Sequence, residues 1–377
     1  MGSNSVLRVG IISAKWGVVA HLPAWRAIAG VEVVAICTSR RETAEKAARE
    51  NHIPKAYWDY HEMAADPDID IIDVGTRPNL RVDMIRAAVA GGKHVYAGIP
   101  FADSLANARL LTRELVAKGL QGATDAYTQW LPQCQHMKEL IDEGYLGDPW
   151  GFSGKVHLQL FSPGVVNVPD YAWFWERRNG ASVLRNLGAH LLTPLIHMFG
   201  PVESVVADLR RVLPRWQMLD GSLLDVEVDD HATLMVKLEN GMTGTLDLCW
   251  ASGDGEGFRL AAHGADGHLE VVSSHFPSPR DAILRGTQSR GYMDQQGVEL
   301  AVPDRLTRHE SLAITSMSPV PDPVYPMACA MKSLVDGILT GSAVSPDFHL
   351  ATHVQEVIAA AEHSSAVRSW CPVADMA

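Results

Sequence analysis

Along residues 1–126, short and almost continuously apolar runs alternate with longer stretches in which apolar residues recur every three or four positions. The runs fall at 7–12, 31–37, 69–74, 94–97 and 122–126; helical patterns lie between them at 18–29, 42–51, 83–90 and 105–118. Strands without polar alternation are buried on both faces, so this order predicts a parallel sheet covered by helices. From about Pro149 the pattern changes to apolar–polar alternation, in 151–161, 202–211, 231–238, 243–250, 258–263 and 268–272. Alternation of period two predicts a sheet with one packed and one free face, largely antiparallel. Asn240-Gly241 and Gly264-Ala265-Asp266-Gly267 supply hairpin turns. Residues 276–325, rich in Pro, Ser, Gly and Arg, read as loops, and 327–340 and 350–370 as helices. The expected fold is α/β: a Rossmann domain at 1–126 and an α+β domain at 127–377 with an open, mostly antiparallel sheet. The helix at 350–370 is a candidate to pack back on the first domain.

Composition narrows the function. The chain has 377 residues, enough for two cores, and its 47% apolar and 20% charged residues are those of an ordered globular protein. A net charge of −12 argues against nucleic acid or an anionic membrane as partner while allowing a local basic pocket. Cys37, Cys134, Cys249, Cys329 and Cys371 are scattered with no Cys-x-x-Cys or Cys/His spacing, so neither disulfides nor a metal site is expected. Met1 leads into the first strand without a basic and apolar leader, and no apolar run spans a bilayer; a cytoplasmic location is the expectation.

A Rossmann cofactor places its pyrophosphate on the turn after the first strand. Here that turn contains Ser13, Ala14, Lys15, Trp16 and Gly17, with Ser13 and Lys15 at the first two glycine positions and Gly17 one residue before the third. The second strand ends in Thr38-Ser39-Arg40-Arg41 with no carboxylate to hold the 2′-hydroxyl of NAD. A hydroxyl and a guanidinium suit a 2′-phosphate instead, so NADP(H) is preferred over NAD(H). Gly75, Thr76, Arg77 and Asn79 form a polar lip after the third apolar run.

These residues resemble the Gfo/Idh/MocA oxidoreductase family (glucose-fructose oxidoreductase, inositol dehydrogenase and relatives). The resemblance rests on Val9-Gly10-Ile11-Ile12 with His21-x-Pro23; Thr76-Arg77-Pro78-Asn79; Ala90-Gly91-Gly92-Lys93-His94-Val95 leading to Pro100; the segment 140–147; Gly188-Ala189-His190; and the tail from Pro346-Asp347-Phe348 to Ser364-Ser365-Ala366. It implies hydride transfer between nicotinamide and a hydroxyl or carbonyl carbon of a sugar-like, cyclitol or other ring-shaped small molecule. The family's Glu-Lys-Pro motif stands here as Gly98-Ile99-Pro100, so the usual lysine is Ile99. Its Asp-x-x-x-His pair stands as Asn186 and His190. The resemblance makes His190 the general acid/base and Asn186 the residue that orients the substrate, with Tyr127 a deputy for the lysine. These departures also resemble the Gal80-like branch, which includes a regulator that binds the dinucleotide without turnover. A redox-neutral lyase or isomerase that holds its nucleotide tightly is a further alternative.

If 183–197 is one helix, Val183, Leu184, Leu187, Leu191 and Leu195 make an apolar stripe and Asn186, His190, Thr193 and His197 a polar one facing a cleft. Pro194 would free the carbonyl of His190. Thr193 and His197 are therefore substrate candidates, together with Trp130 and with Trp175, Arg177 and Arg178 of an aromatic, basic segment that would equally serve as a packing cluster. The free sheet face predicts a homodimer or homotetramer, because an apolar open face is costly to expose.

Overall fold

A computed structural model describes residues 6–161, 169–253, 255–288 and 297–376. In chain order the first elements are β1 (Leu7–Ile12), α1 (Leu22–Arg26), β2 (Val31–Cys37), α2 (Arg41–Glu50), β3 (Lys55–Tyr57), α3 (Tyr60–Ala65), β4 (Ile71–Val74), α4 (Pro78–Ala90), β5 (His94–Ala97), α5 (Leu105–Ala117) and β6 (Gly122–Thr124). Then come α6 (Pro132–Asp142), β7 (Pro149–His157), α7 (Ala189–Phe199), β8 (Val202–Arg210), β9 (Arg215–Gln217), β10 (Leu223–Asp225), β11 (His231–Leu238), β12 (Thr243–Cys249), β13 (Gly257–Gly264), β14 (His268–Ser273), β15 (Ile283–Thr287), β16 (Val298–Glu299) and α8 (Asp304–Thr307). The chain closes with α9 (Val324–Thr340), α10 (Phe348–Val367) and β17 (Cys371–Pro372).

Two compact units result. The first comprises residues 1–130 and 307–352, the second 131–306 and 353–377. The division is discontinuous: 127–130 and 307–352, expected with the second domain, fold with the first.

In the first unit six parallel strands run in the order β3-β2-β1-β4-β5-β6, the doubly wound arrangement that apolar strands such as Ile71–Val74, buried throughout, require. Two helix starts are visible in the residues: Pro78 supplies the fixed φ of a first turn in α4, and Ser104 caps α5 by accepting from the amide of Asn107 at 3.3 Å. The pattern had passed over β3 and α3, which are too short to show a period. The late segment enters this core through Phe348, 1% exposed, whose ring lies 4.8 Å from that of Phe101. The Thr112 and Thr352 hydroxyls meet at 2.7 Å beneath it.

In the second unit a nine-stranded sheet runs β16-β15-β14-β13-β7-β12-β11-β8-β17; β7 and β12 pair in parallel and the other pairs are antiparallel. One face carries Phe152, Val156, Leu234, Leu246 and Leu248, all buried, and receives α7. A Cβ on Gly154 would sit 2.7 Å from Leu191, so this glycine is what lets the helix approach. β15, within the segment read as loops, is a ladder partner of β14; residues 289–296 of that segment, like 1–5, lie outside the described residues. The free face corrects one premise. It bears Lys155–Glu256, Arg259–Glu270 and Lys237–Glu203 ion pairs at 2.8, 2.7 and 2.9 Å, so it is charged rather than apolar, and the cost of exposing an apolar face gives no ground for an oligomer.

Phe348→Ala is expected to cost about 3–5 kcal/mol, as core phenylalanine truncations do. Urea unfolding followed by far-UV circular dichroism measures it. An unchanged midpoint would remove the late segment from the first core.

Candidate active site

The cofactor edge of the first unit is built at the carboxyl ends of β1, β2 and β4. After Ile12 the chain turns through Ser13–Trp16 and enters a π-helical turn, Gly17–His21, before α1. A Cβ on Gly17 would lie 2.8 Å from Ile11 and 3.0 Å from Ser13, and one on Gly75 would lie 3.3 Å from Ser13. Gly17 thus fills the close-packing role of the motif's last glycine. Its one-residue offset coincides with a turn that holds one residue more than an α-turn. The turn fits a pyrophosphate: Gly17 and Gly75 let it close tightly against Ile11 and Ser13, where a Cβ would not fit, and Ser13, Ala14, Lys15 and Trp16 are not buried.

At the end of β2, Thr38 is engaged locally, its hydroxyl 2.6 Å from that of Thr43 and donating to the carbonyl of Arg40 at 3.0 Å. Arg41 is tied to Glu45 at 2.7 Å and lies over the Trp58 ring. Ser39 and Arg40 are exposed at the start of α2, and among the described residues Arg40 makes no ion pair. Thr76 and Arg77 lead into α4, which begins at Pro78, five residues before the helix the pattern predicts, and takes in Asn79.

Sequence reasoning missed the charges beneath this edge. Asp73, on β4, is fully buried and receives Nδ1 of His21 at 2.8 Å and the indole N–H of Trp25 at 2.7 Å. Nε2 of His21 lies 3.3 Å from Asp125, just past β6, and Asp125 also accepts from the Trp16 indole at 3.1 Å. Burial alone would lower the pKa of His21, but the two carboxylates reverse the sign and raise it to about 10. Arg81, 4% exposed, donates to the carbonyls of Gly98 (2.7 Å), Pro100 and Thr76. Burial pulls its guanidinium down to about 10, with Asp125 and Asp73 acting in the opposite direction. It therefore clamps the Gly98-Ile99-Pro100 segment, and a Cβ on Gly98 would meet it at 2.7 Å. The signal was present: a carboxylate inside an otherwise aliphatic strand must find a partner.

Tyr127 is 3% exposed, and burial, with Asp125 and Asp322 adding, pushes its phenol far above the ordinary range. That makes it a hydrogen-bonding group and a poor proton carrier. Trp130 donates its indole N–H to the carbonyl of Ser345 at 2.9 Å.

In the second unit the expected single helix is a π-helical turn, Leu184–Gly188, continued by α7. The apolar stripe is buried as expected; the polar stripe divides. Asn186 is half-buried, and His190, 8% exposed, packs edge-on against Phe276 at 4.8 Å. Thr193 is buried and spends its hydroxyl on the carbonyl of Ala189 at 2.7 Å, so it is structural. His197 lies near Lys138 and Asp142 of α6; burial first, then Lys138, lowers its pKa. Around Pro194 the helix continues to Phe199.

The aromatic segment is a packing cluster within this unit. Trp173 stacks on Phe174 at 3.9 Å, Phe161 on Trp216 at 4.0 Å, and Phe161 and Phe174 meet Trp250 edge-on. Arg177 donates to the backbone and side chain of Glu227, Arg178 pairs with Glu176, and the Trp175 carbonyl accepts from Glu227.

Two family descriptions match this architecture: an oxidoreductase family NAD-binding Rossmann fold over residues 7–124, and a GFO/IDH/MocA C-terminal domain over 134–270. The chain belongs to the GFO/IDH/MocA oxidoreductase family. An uncharacterized oxidoreductase of Synechocystis is 25% identical over 85% of both chains. A D-apiose dehydrogenase of Paraburkholderia graminis is 27% identical over 62% of this chain and 57% of its own. The crystal structure of a levoglucosan dehydrogenase with NADH and L-sorbose superposes with a TM-score of 0.85 at 20% identity, covering 97% of this chain and 99% of that one, which fixes the fold. The protein is a nicotinamide-dinucleotide-dependent oxidoreductase, and no helix among the described residues is long and apolar enough to cross a membrane. Within this family architecture the buried charges belong to the cofactor domain.

His21 has a folded pKa of about 10 against an ordinary 6.5, so its stabilising contribution is complete below about pH 6.5 and is lost as pH rises through 10. The thermal midpoint of the wild type is expected to fall over that window. Asp73→Asn should cost about 3–5 kcal/mol at neutral pH and flatten the dependence. Equal slopes in the two proteins by differential scanning calorimetry would contradict the assignment.

Proposed function

We propose that this enzyme is an NADP(H)-dependent dehydrogenase of a ring-shaped polyhydroxylated small molecule, of the sugar or cyclitol class. The observation that carries the cofactor preference is Arg40, exposed at the start of α2 without an ion pair among the described residues, beside Ser39 and with no carboxylate at the strand end. A 2′-phosphate there meets a guanidinium and the free amides of a helix start. The D-apiose dehydrogenase relative supports the substrate class.

When bound, the nicotinamide supplies or accepts the hydride. The chain's part is binding and proton handling. Ser13–Gly17 and Gly75 hold the pyrophosphate, and Arg81 fixes the backbone of Gly98-Ile99-Pro100. His190 takes the proton of the substrate hydroxyl during oxidation and returns it during reduction. Asn186 orients the hydroxyl as donor and acceptor, but an amide cannot raise the basicity of the imidazole as a carboxylate would. Ile99 carries no proton, so His190 bears the acid–base work alone.

Arg40→Ala is expected to raise the KM for NADP+ at least about tenfold and leave that for NAD+ unchanged, the loss of one charge-assisted contact. His190→Ala should lower kcat about 10²–10⁴-fold while nucleotide binding persists. Both are measured by reduced-nicotinamide absorbance over a panel of sugars, cyclitols and cyclic diols. Equal loss with both nucleotides in Arg40→Ala would refute the NADP preference, and a fully active His190→Ala would remove that residue's role.

A further inference from the structure

Three side chains on the free face of the nine-stranded sheet take no part in the chemistry above. His157 on β7, Asp247 on β12 and His231 on β11 come from adjacent strands, because β12 lies between the other two. The register sets His157 and His231 opposite Cys249 from either side, with Asp247 two residues back on the same face. Each imidazole turns Nε2 to a different oxygen of the one carboxylate: His157 to Oδ2 at 3.0 Å, His231 to Oδ1 at 3.3 Å. One ligand atom from each residue lies within 4.8 Å of the other two.

An ion pair alone leaves one feature unaccounted for. Nε2 of His157 is buried and close to the carboxylate, yet it makes no aligned hydrogen bond. A buried nitrogen in that position is satisfied by a third body that takes both lone pairs. Two imidazoles and a carboxylate are the donor set of a borderline divalent metal, and in a tetrahedral zinc site with bonds of about 2.0–2.1 Å neighbouring ligand atoms stand about 3.3 Å apart. The two nitrogen–oxygen separations, 3.0 and 3.3 Å, are close to that spacing, and the two imidazole nitrogens lie within 4.8 Å of each other. The Thr233 hydroxyl donates to Asp247 Oδ1 at 3.3 Å and orients the carboxylate from outside.

We propose that His157, His231 and Asp247 bind one Zn2+ per chain, with water completing the coordination. The ion clasps β7, β12 and β11 near the sheet's centre. It is not part of hydride transfer: Asp247 alternates with Leu246 and Leu248, and Leu248 lies against Gly188 on the face that carries α7 and His190. The residues are dispersed along the chain and meet only through strand register, which is why local Cys/His spacing gave no sign of them.

The test uses the full chain, tag removed and dialysed against chelator. Zn2+ is titrated by isothermal calorimetry, and Co2+ by visible absorption. The wild type is expected to take up one ion per chain with low-micromolar Kd and to unfold at a higher temperature when saturated. His231→Ala and Asp247→Asn should each bind at least about tenfold more weakly, while His263→Ala, on the same face but outside the cluster, binds as the wild type does. Circular dichroism establishes that the variants are folded. If one is not, the Co2+ spectrum of the wild type decides: intense low-coordinate bands support the site, and the weak bands of the hexaaqua ion overturn it. Wild-type binding no tighter than about 100 μM, or unchanged affinity in folded His231→Ala and Asp247→Asn, also overturns the proposal.

Discussion

The first unit depends on how it neutralises charge in the interior. Asp73 has no exposure on a central strand, and Asp125 has 5%. Neither carboxylate survives ionised in an apolar core without a partner. The partners are His21, held as a cation because both carboxylates face it, and Arg81, which lies in their field. Two cations then balance two anions. Such a set adds little net stability over an apolar core of equal volume, but each member fixes the position of the others. His21 follows β1, Asp73 lies on β4, Asp125 follows β6 and Arg81 lies on α4, so the set ties together the ends from which the cofactor loops leave.

That constraint explains how a glycine-poor turn keeps its shape. A Rossmann turn ordinarily relies on glycines to bring backbone close to phosphate. Here the Trp16 indole is anchored on Asp125, Gly17 packs on β1 through a π-helical turn, and Arg81 holds three carbonyls around the segment where the family lysine would stand. Arg81 thus fixes the backbone of Gly98-Ile99-Pro100 through its carbonyls, independently of the side chain at position 99. The backbone is retained and the titratable group is gone.

The sheet of the first unit was legible because Val31–Cys37, Ile71–Val74 and His94–Ala97 are short apolar runs bounded by turns and glycines. In the second unit the period of two gave β11 to the residue and β8 to within one, since a half-buried strand writes its burial directly into polarity. What was not legible has a common physical cause. β3 and β15 are too short for periodicity, α6 begins at a proline inside a mixed segment, and the membership of 307–352 is a matter of long-range packing by Phe348. Ser39 and Arg40 were expected from type and position, and they stand exposed at the start of α2. Thr193 could not be told from a substrate ligand, because i to i−4 back-bonding to Ala189 is invisible in a helical stripe.

The second unit shows what strict alternation makes possible. On β12 the residues Leu246 and Leu248 face α7, while Asp247 between them faces the other way toward His157 and His231. Gly154 and Gly188 let the helix carrying His190 approach the first face closely, and β7 presents Ser153, Lys155 and His157 on the second. One strand set therefore supports a packed helix carrying His190 on one side and a convergent donor set on the other. A slip of one residue in β12 would exchange the two faces, pressing a carboxylate into the helix contact and turning leucine toward the histidines. The burial of Leu246 and Leu248 thus fixes the register that aims Asp247, and the same packing energy positions both faces.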